Sequence, residues 1–162
     1  APAKNRNDRH RILEKHRIKG QDYEAQAEFI RKITQRYNVH FIGIDTNGMG
    51  EAVAQLVAKF FPRVTRYRYT PDSKAALVRQ AQHIIEKGRL EFDARDVIIA
   101  QSFSSIRREL TASGRQFTYA AGRNNQTGHA DLAWATMHAL HNEPIDVLAE
   151  GERGKSMMEI YG

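Results

Sequence analysis

The sequence predicts an α/β fold, with helices packed on both faces of a sheet that is at least partly parallel. Short runs rich in β-branched and aromatic residues alternate with longer amphipathic segments, the signature of strand and helix in turn. The junctions between them carry Gly, Pro, Asn or Asp, the residues that end regular structure. At 162 residues and 41% hydrophobic content, the chain is long enough for one domain with a core of its own.

Arg9 to Ile18 alternates in part between apolar and charged residues, which suits an edge or half-exposed strand. Asp22 then opens an amphipathic helix on which Tyr23, Ala27, Ile30, Ile33, Thr34 and Tyr37 recur near helical spacing. Asn38 breaks it, and Val39 to Ile44 reads as a short apolar strand. The turn Asn47-Gly48-Met49-Gly50 leads into a helix from about Glu51 to Phe61, stopped by Pro62.

The pattern repeats. Val64 to Tyr69 is a β-rich run ending before Pro71, and residues 72–87 form a helix closed by Gly88. Leu90 to Asp93 is expected as a short strand, Asp96 to Leu110 as a helix and Arg115 to Ala121 as a strand. Gly122 to Gly128 is a polar turn-like loop, and His129 to His141 a helix that offers Leu132, Ala133, Trp134, Met137 and Leu140 for packing. From Pro144 onward the chain is rich in Glu, Gly and Met and is expected to be irregular. Residues 1–143 are therefore expected to form the domain and 144–162 a C-terminal tail.

Composition narrows the function classes. The absence of cysteine excludes a disulfide framework and a thiolate zinc site, and points to a reducing compartment such as the cytoplasm. No apolar run approaches the roughly 18 residues of a membrane span, so no membrane partner is expected. The first residues, Ala1-Pro2-Ala3, lack a methionine, which raises the expectation of processing or of excision from a longer protein. The net charge of +6 is concentrated: residues 1–20 hold seven Lys or Arg against two acids, and the rest holds 18 against 17. Such a balance favours polyanionic partners, nucleic acid above all, or a charged edge strand that resists aggregation.

Two short segments carry most of the chemistry. Phe41-Ile42-Gly43-Ile44-Asp45-Thr46-Asn47-Gly48 places a carboxylate at the end of an apolar run, where α/β sheets gather functional groups; Asp45 can equally cap the following turn. Gly128-His129-Ala130-Asp131-Leu132-Ala133-Trp134-Ala135 places another at a helix start, where Asp131 is either a metal ligand or a favourable charge at the helix dipole. His129 is either a supporting group or a helix cap. Gly48 and Gly50 lack the third glycine of a dinucleotide fingerprint, and the phosphate-loop-like Ala149 to Ser156 has too little chain after its lysine to form the required helix. The remaining histidines show no zinc spacing. Arg66, Arg68, Arg107, Arg108, Arg115 and Arg123, with Tyr67 and Tyr69 among them, are candidates for a DNA phosphate-tracking surface or are scattered surface cations. Arg115 and Arg123 bracket the strand and loop that lead to Asp131.

These motifs closely resemble the C-terminal nuclease domain of large terminase subunits of tailed bacteriophages. The resemblance runs from about Arg11 to about Pro144 and rests on Gly-Ile-Asp-Thr-Asn-Gly-Met-Gly, Tyr-x-Tyr-x-Pro, Gly-Arg-Leu-Glu-Phe-Asp, Thr-Ala-Ser-Gly-Arg-Gln and Gly-His-Ala-Asp-Leu-Ala-Trp-Ala, in matching order. It implies a ribonuclease-H-like mixed sheet flanked by helices, and an endonuclease that cuts concatemeric double-stranded DNA during packaging with Mg²⁺ or Mn²⁺, two ions in a complete site. Asp45 matches the family's second acidic position and Asp131 its third. The first lies on a central strand upstream of the segment that begins here near Arg9. Asp8 and Asp22 sit on no apolar strand and do not replace it, so the chain is expected to lack its first strands. The resemblance further implies an upstream ATPase domain, a small terminase subunit and portal as partners, and action in the bacterial host cytoplasm. An exposed sheet edge offers a homodimer of the fragment. The competing expectations are a catalytically incomplete nucleic-acid-binding or assembly module of the same fold and, on the glycine turn, a nucleotide-binding regulatory domain.

Overall fold

Strand β1 (His10–Arg11) pairs in parallel with β4 (Leu90–Glu91), His10 opposite Leu90. This is shorter than the Arg9–Ile18 strand expected. Beyond Ile12, whose amide still donates to the Glu91 carbonyl at 2.9 Å, the segment is tied down by side chains: Glu14 pairs with Arg36 and Lys15 with Asp96. The structure is a computed structural model and describes residues 1–5, 8–122 and 130–142. The expected tail 144–162, most of the Gly122–Gly128 loop, Arg123 and His129 lie outside the described residues.

Helix α1 (Tyr23–Arg36) starts where Asp22 predicts, because the Asp22 carboxylate accepts the Ala25 amide at 2.7 Å. Strand β2 (Gly43–Asp45) runs parallel to β3 (Thr65–Tyr67), with Asp45 opposite Tyr67. Between them lies α2 (Gly50–Ala58). Val53 and Val57 of α2 pack with Ala27 of α1 and with Val64 into one buried cluster beneath this strand pair.

Helix α3 (Pro71–Glu86) carries a capping box between Thr70 and Ser73 and ends at Gly88, whose φ of +64° suits glycine. The Arg89 amide then returns to the Ile84 carbonyl at 3.0 Å. Its apolar face, Leu77, Val78, Ala81 and Ile84, forms the larger core with Ala133, Trp134, Met137 and Leu140 of α5 (Asp131–His141). Full burial of a Leu or Ile contributes about 1.5–3 kcal/mol, so this contact fixes the two helices against each other.

The segment 96–110 departs from expectation. Helix α4 (Val97–Ser104) stops after eight residues, and β5 (Ile106–Leu110) is a strand, antiparallel to β6 (Phe117–Ala121). Ser104 and Ser105 are weak helix residues, and the Ser105 hydroxyl donates to the Ser102 carbonyl at 2.8 Å at the helix end. Gly114, with φ of +67°, then turns the hairpin, whose Thr111 amide donates to Gln116 at 2.8 Å. Two parallel pairs and one antiparallel pair, among the described residues, give the mixed pairing with helices between strands that the sequence predicts.

Candidate metal centre

Asp45 is the last residue of β2, and the chain leaves the strand under tight control. The Thr46 amide still donates to the Tyr67 carbonyl at 2.9 Å, and the Thr46 hydroxyl to the same oxygen at 3.1 Å. One Asp45 oxygen, Oδ1, accepts the Asn47 amide at 2.8 Å and the Asn47 side-chain amide at 2.9 Å. Asp45 thus forms an Asx turn, the capping role open to it from the sequence, while its carboxylate also faces a cavity.

Gly43 and Gly50 each allow a close approach between elements. A Cβ on Gly50 would sit 2.9 Å from the Asp45 carbonyl carbon and closer still to its oxygen. A Cβ on Gly43 would meet Tyr67 Cε2 at 2.8 Å and His138 Cβ at 3.2 Å. Only glycine lets α2 begin against Asp45 and lets β2 lie against α5.

Asp131 is the first residue of α5, reached through Ala130 in the left-handed region at φ 63°. Ala130, at the N-cap position, has no side chain that could cap the helix. The completely buried Ser102 of α4 takes up one of the free amides of the first turn, its Oγ accepting the Ala133 amide at 3.0 Å. This bond anchors the turn that carries Asp131. The exposed Asp131 carboxylate has no hydrogen-bond or ion-pair partner among the described residues.

Asp45 and Asp131 line one open cavity of about 520 Å³. Its wall on the α5 side is Asp131, Trp134, Ala135 and His138, spaced by three, four and seven residues and so on one helix face. Tyr69 and Lys74 line it beside Trp134 and His138, and Ala120 and Ala121 of β6 complete it. The Tyr67 ring stacks on the His138 imidazole with centroids 4.1 Å apart, and the Tyr69 hydroxyl meets His138 Nε2 at 2.9 Å. Burial depresses the His138 pKa to about 4, against the opposing pull of Asp45 and helped by His141, so the ring is neutral near pH 7. Burial raises the Tyr69 pKa, and the charges of Asp45 and Asp131 raise it further. The two carboxylates therefore act on one hydroxyl from their separate elements.

Of the other expected residues, Arg66 is held by Glu51 at 3.4 Å, Arg68 is exposed beyond β3, and Arg115 is exposed at the hairpin turn; none lines the cavity. Lys74 and His138 were not singled out by the sequence, and Tyr69 only as an aromatic among the candidate phosphate-tracking arginines. The signal available for His138 was the helical spacing from Asp131.

The donor chemistry fits a hard divalent cation, since carboxylate oxygens are the ligands Mg²⁺ and Mn²⁺ prefer. Asp45 and Asp131 are two such donors, and no group of three His, Asp or Glu that could hold a metal occurs among the described residues.

The profile of the Terminase RNaseH-like domain family matches residues 3–143. The chain belongs to this family. The ATPase subunit of the terminase of Escherichia phage P2 is 48% identical over 151 residues, 93% of this chain and 26% of that protein. The probable terminase ATPase subunit of Haemophilus phage HP1 is 33% identical over 146 residues, 90% of this chain and 24% of that protein. The chain thus spans about a quarter of the length of these relatives. The large terminase nuclease of thermophilic phage G20c, solved with bound cobalt, superposes with a TM-score of 0.64 at 21% identity, covering 77% of this chain and 64% of that one. Its magnesium-bound form gives 0.63 at 22% identity, covering 76% and 63%. The terminase RNaseH-like fold expected from the motifs is therefore the fold of this chain. No helix among the described residues is long and apolar enough to cross a membrane.

Proposed function

We propose that this terminase RNaseH-like domain is the nuclease part of a phage DNA-packaging subunit, cutting concatemeric double-stranded DNA with the help of Mg²⁺ or Mn²⁺. The observation that carries this reading is the convergence of Asp45, from the end of β2, and Asp131, from the start of α5, on one cavity. Both would hold metal through carboxylate oxygen. Bound divalent ions, two in a complete site, supply the activated water and the charge stabilisation that phosphodiester hydrolysis needs. The Asx turn orients Asp45, Ser102 steadies the helix start that carries Asp131, and the neutral His138 with Tyr69 forms the wall behind them.

The first acidic position of the family is supplied, on this reading, by a strand of the longer subunit preceding these residues, and the ATPase domain lies further upstream. Residues 1–143 are the nuclease domain and 144–162 a tail. Small terminase subunit and portal are its partners, the bacterial host cytoplasm its location, and an exposed sheet edge the place where a second copy of the fragment would pair. Arg66, Arg68 and Arg115, outside the cavity, are further DNA contacts, Arg123 is another, and His129 supports the metal ligands. The test is nicking of supercoiled plasmid in Mn²⁺ by this chain and by a subunit extended upstream, each with Asp45→Ala and Asp131→Ala. Cleavage by the extended protein that is abolished by either substitution is expected. Absence of cleavage in both proteins, or unchanged cleavage in the variants, defeats the proposal.

A further inference from the structure

Among the described residues lining the cavity, Lys74 is the only Lys or Arg. Nothing in its sequence context distinguishes it from the arginines, and its position in the helix is energetically odd. Lys74 is the fourth residue of α3, and a cation near a helix N-terminus opposes the helix dipole. Asp72, which could compensate it from the first turn, instead accepts a hydrogen bond from Gln116 at 3.1 Å. No carboxylate among the described residues pairs with Lys74. Its ammonium lies 5.5 Å from the Tyr69 ring centroid and 5.7 Å from that of Trp134. The two rings steer the charge while leaving its N–H donors without an anionic acceptor.

We propose that the Lys74 ammonium binds a backbone phosphate of duplex DNA at this cavity, beside Asp45 and Asp131, and so positions the strand for the carboxylate pair. The inference rests on the nuclease reading above. Two carboxylates repel a phosphate, so a DNA site built on them needs fixed positive charge on another wall. Lys74 supplies it from α3, its ammonium 5.7 Å from the ring of Trp134, which lines the same cavity as Asp131. As a point charge on a phosphate it adds affinity without base preference.

The test uses fluorescence anisotropy of a labelled duplex with this chain in Ca²⁺ across a salt series, beside Mn²⁺ titration and thermal melting. Lys74→Met is expected to reduce the slope of log K against log[salt] by about 0.9, equally for unrelated duplex sequences. Its Mn²⁺ affinity stays equal or rises, its melting temperature holds, and Lys74→Arg restores the slope. An unchanged slope in Lys74→Met overturns the proposal, as does the lack of saturable duplex binding by the parent chain. Joint loss of melting temperature, Mn²⁺ affinity and DNA binding also overturns it, by showing that Lys74 is a packing residue. Failure of the underlying reading is separately visible, as Mn²⁺ affinity that Asp45→Asn and Asp131→Asn leave unchanged.

Discussion

Replacing Gly50 with alanine separates steric from propensity effects at the candidate site. Alanine in a helix is normally favoured over glycine by about 0.8–1.0 kcal/mol. Here the new Cβ would stand 2.9 Å from the Asp45 carbonyl carbon, whereas carbon atoms pack best at about 3.5–4.0 Å. The Asp45 carbonyl oxygen is nearer still, and both atoms are backbone, so no rotamer change relieves the contact and β2 and α2 must separate by more than about 1 Å. Overpacking of this kind costs about 1–3 kcal/mol, which cancels or exceeds the propensity gain. The displaced atom belongs to Asp45 itself, so Mn²⁺ affinity should fall along with stability. Urea denaturation and Mn²⁺ titration of Gly50→Ala check both. A variant stabilised by about 1 kcal/mol with unchanged Mn²⁺ affinity would refute the close-approach argument.

Ser102→Ala removes the acceptor of the Ala133 amide in a fully buried place; a loss of about 1–2 kcal/mol in urea denaturation is expected, with weakened Mn²⁺ binding because the start of α5 loosens. The His138 pKa of about 4 lies below the ordinary 6.5, so below pH 6.5 the unfolded chain binds a proton that the folded chain refuses. The stability this group contributes is full above 6.5, falls by at most about 1.4 kcal/mol per pH unit as pH drops toward 4, and levels off there. His138→Gln should flatten the denaturation midpoint across that window, and an equally steep loss in the variant would contradict the assignment.

Elements governed by local signals were legible in the sequence. Asp22 marks the start of α1 and Gly88 the end of α3 because a cap acts within one turn. The stretch Ile106–Leu110 was not, since its apolar content continues α4 equally well and only pairing with β6 across the Gly114 turn selects a strand. The same holds for the site. Asp45 and Asp131 stand out by position and motif, and the structure puts both on one cavity. Lys74, Tyr69 and His138 join them only through the packing of α3 and β3 against α5, which no single segment encodes. Gly43 and Gly50 were visible as glycines, but their reason, the approach of another element's atoms, required the fold.

The central claim is that Asp45 and Asp131 hold one metal site together, and a double-mutant cycle on Mn²⁺ binding tests it most directly. Titrations of the parent chain, Asp45→Asn, Asp131→Asn and the double variant give the coupling between them. If the carboxylates share a site, either single change removes most of the affinity and the double variant is little worse than the singles. Independent, additive losses, or a parent affinity untouched by either change, would contradict the account.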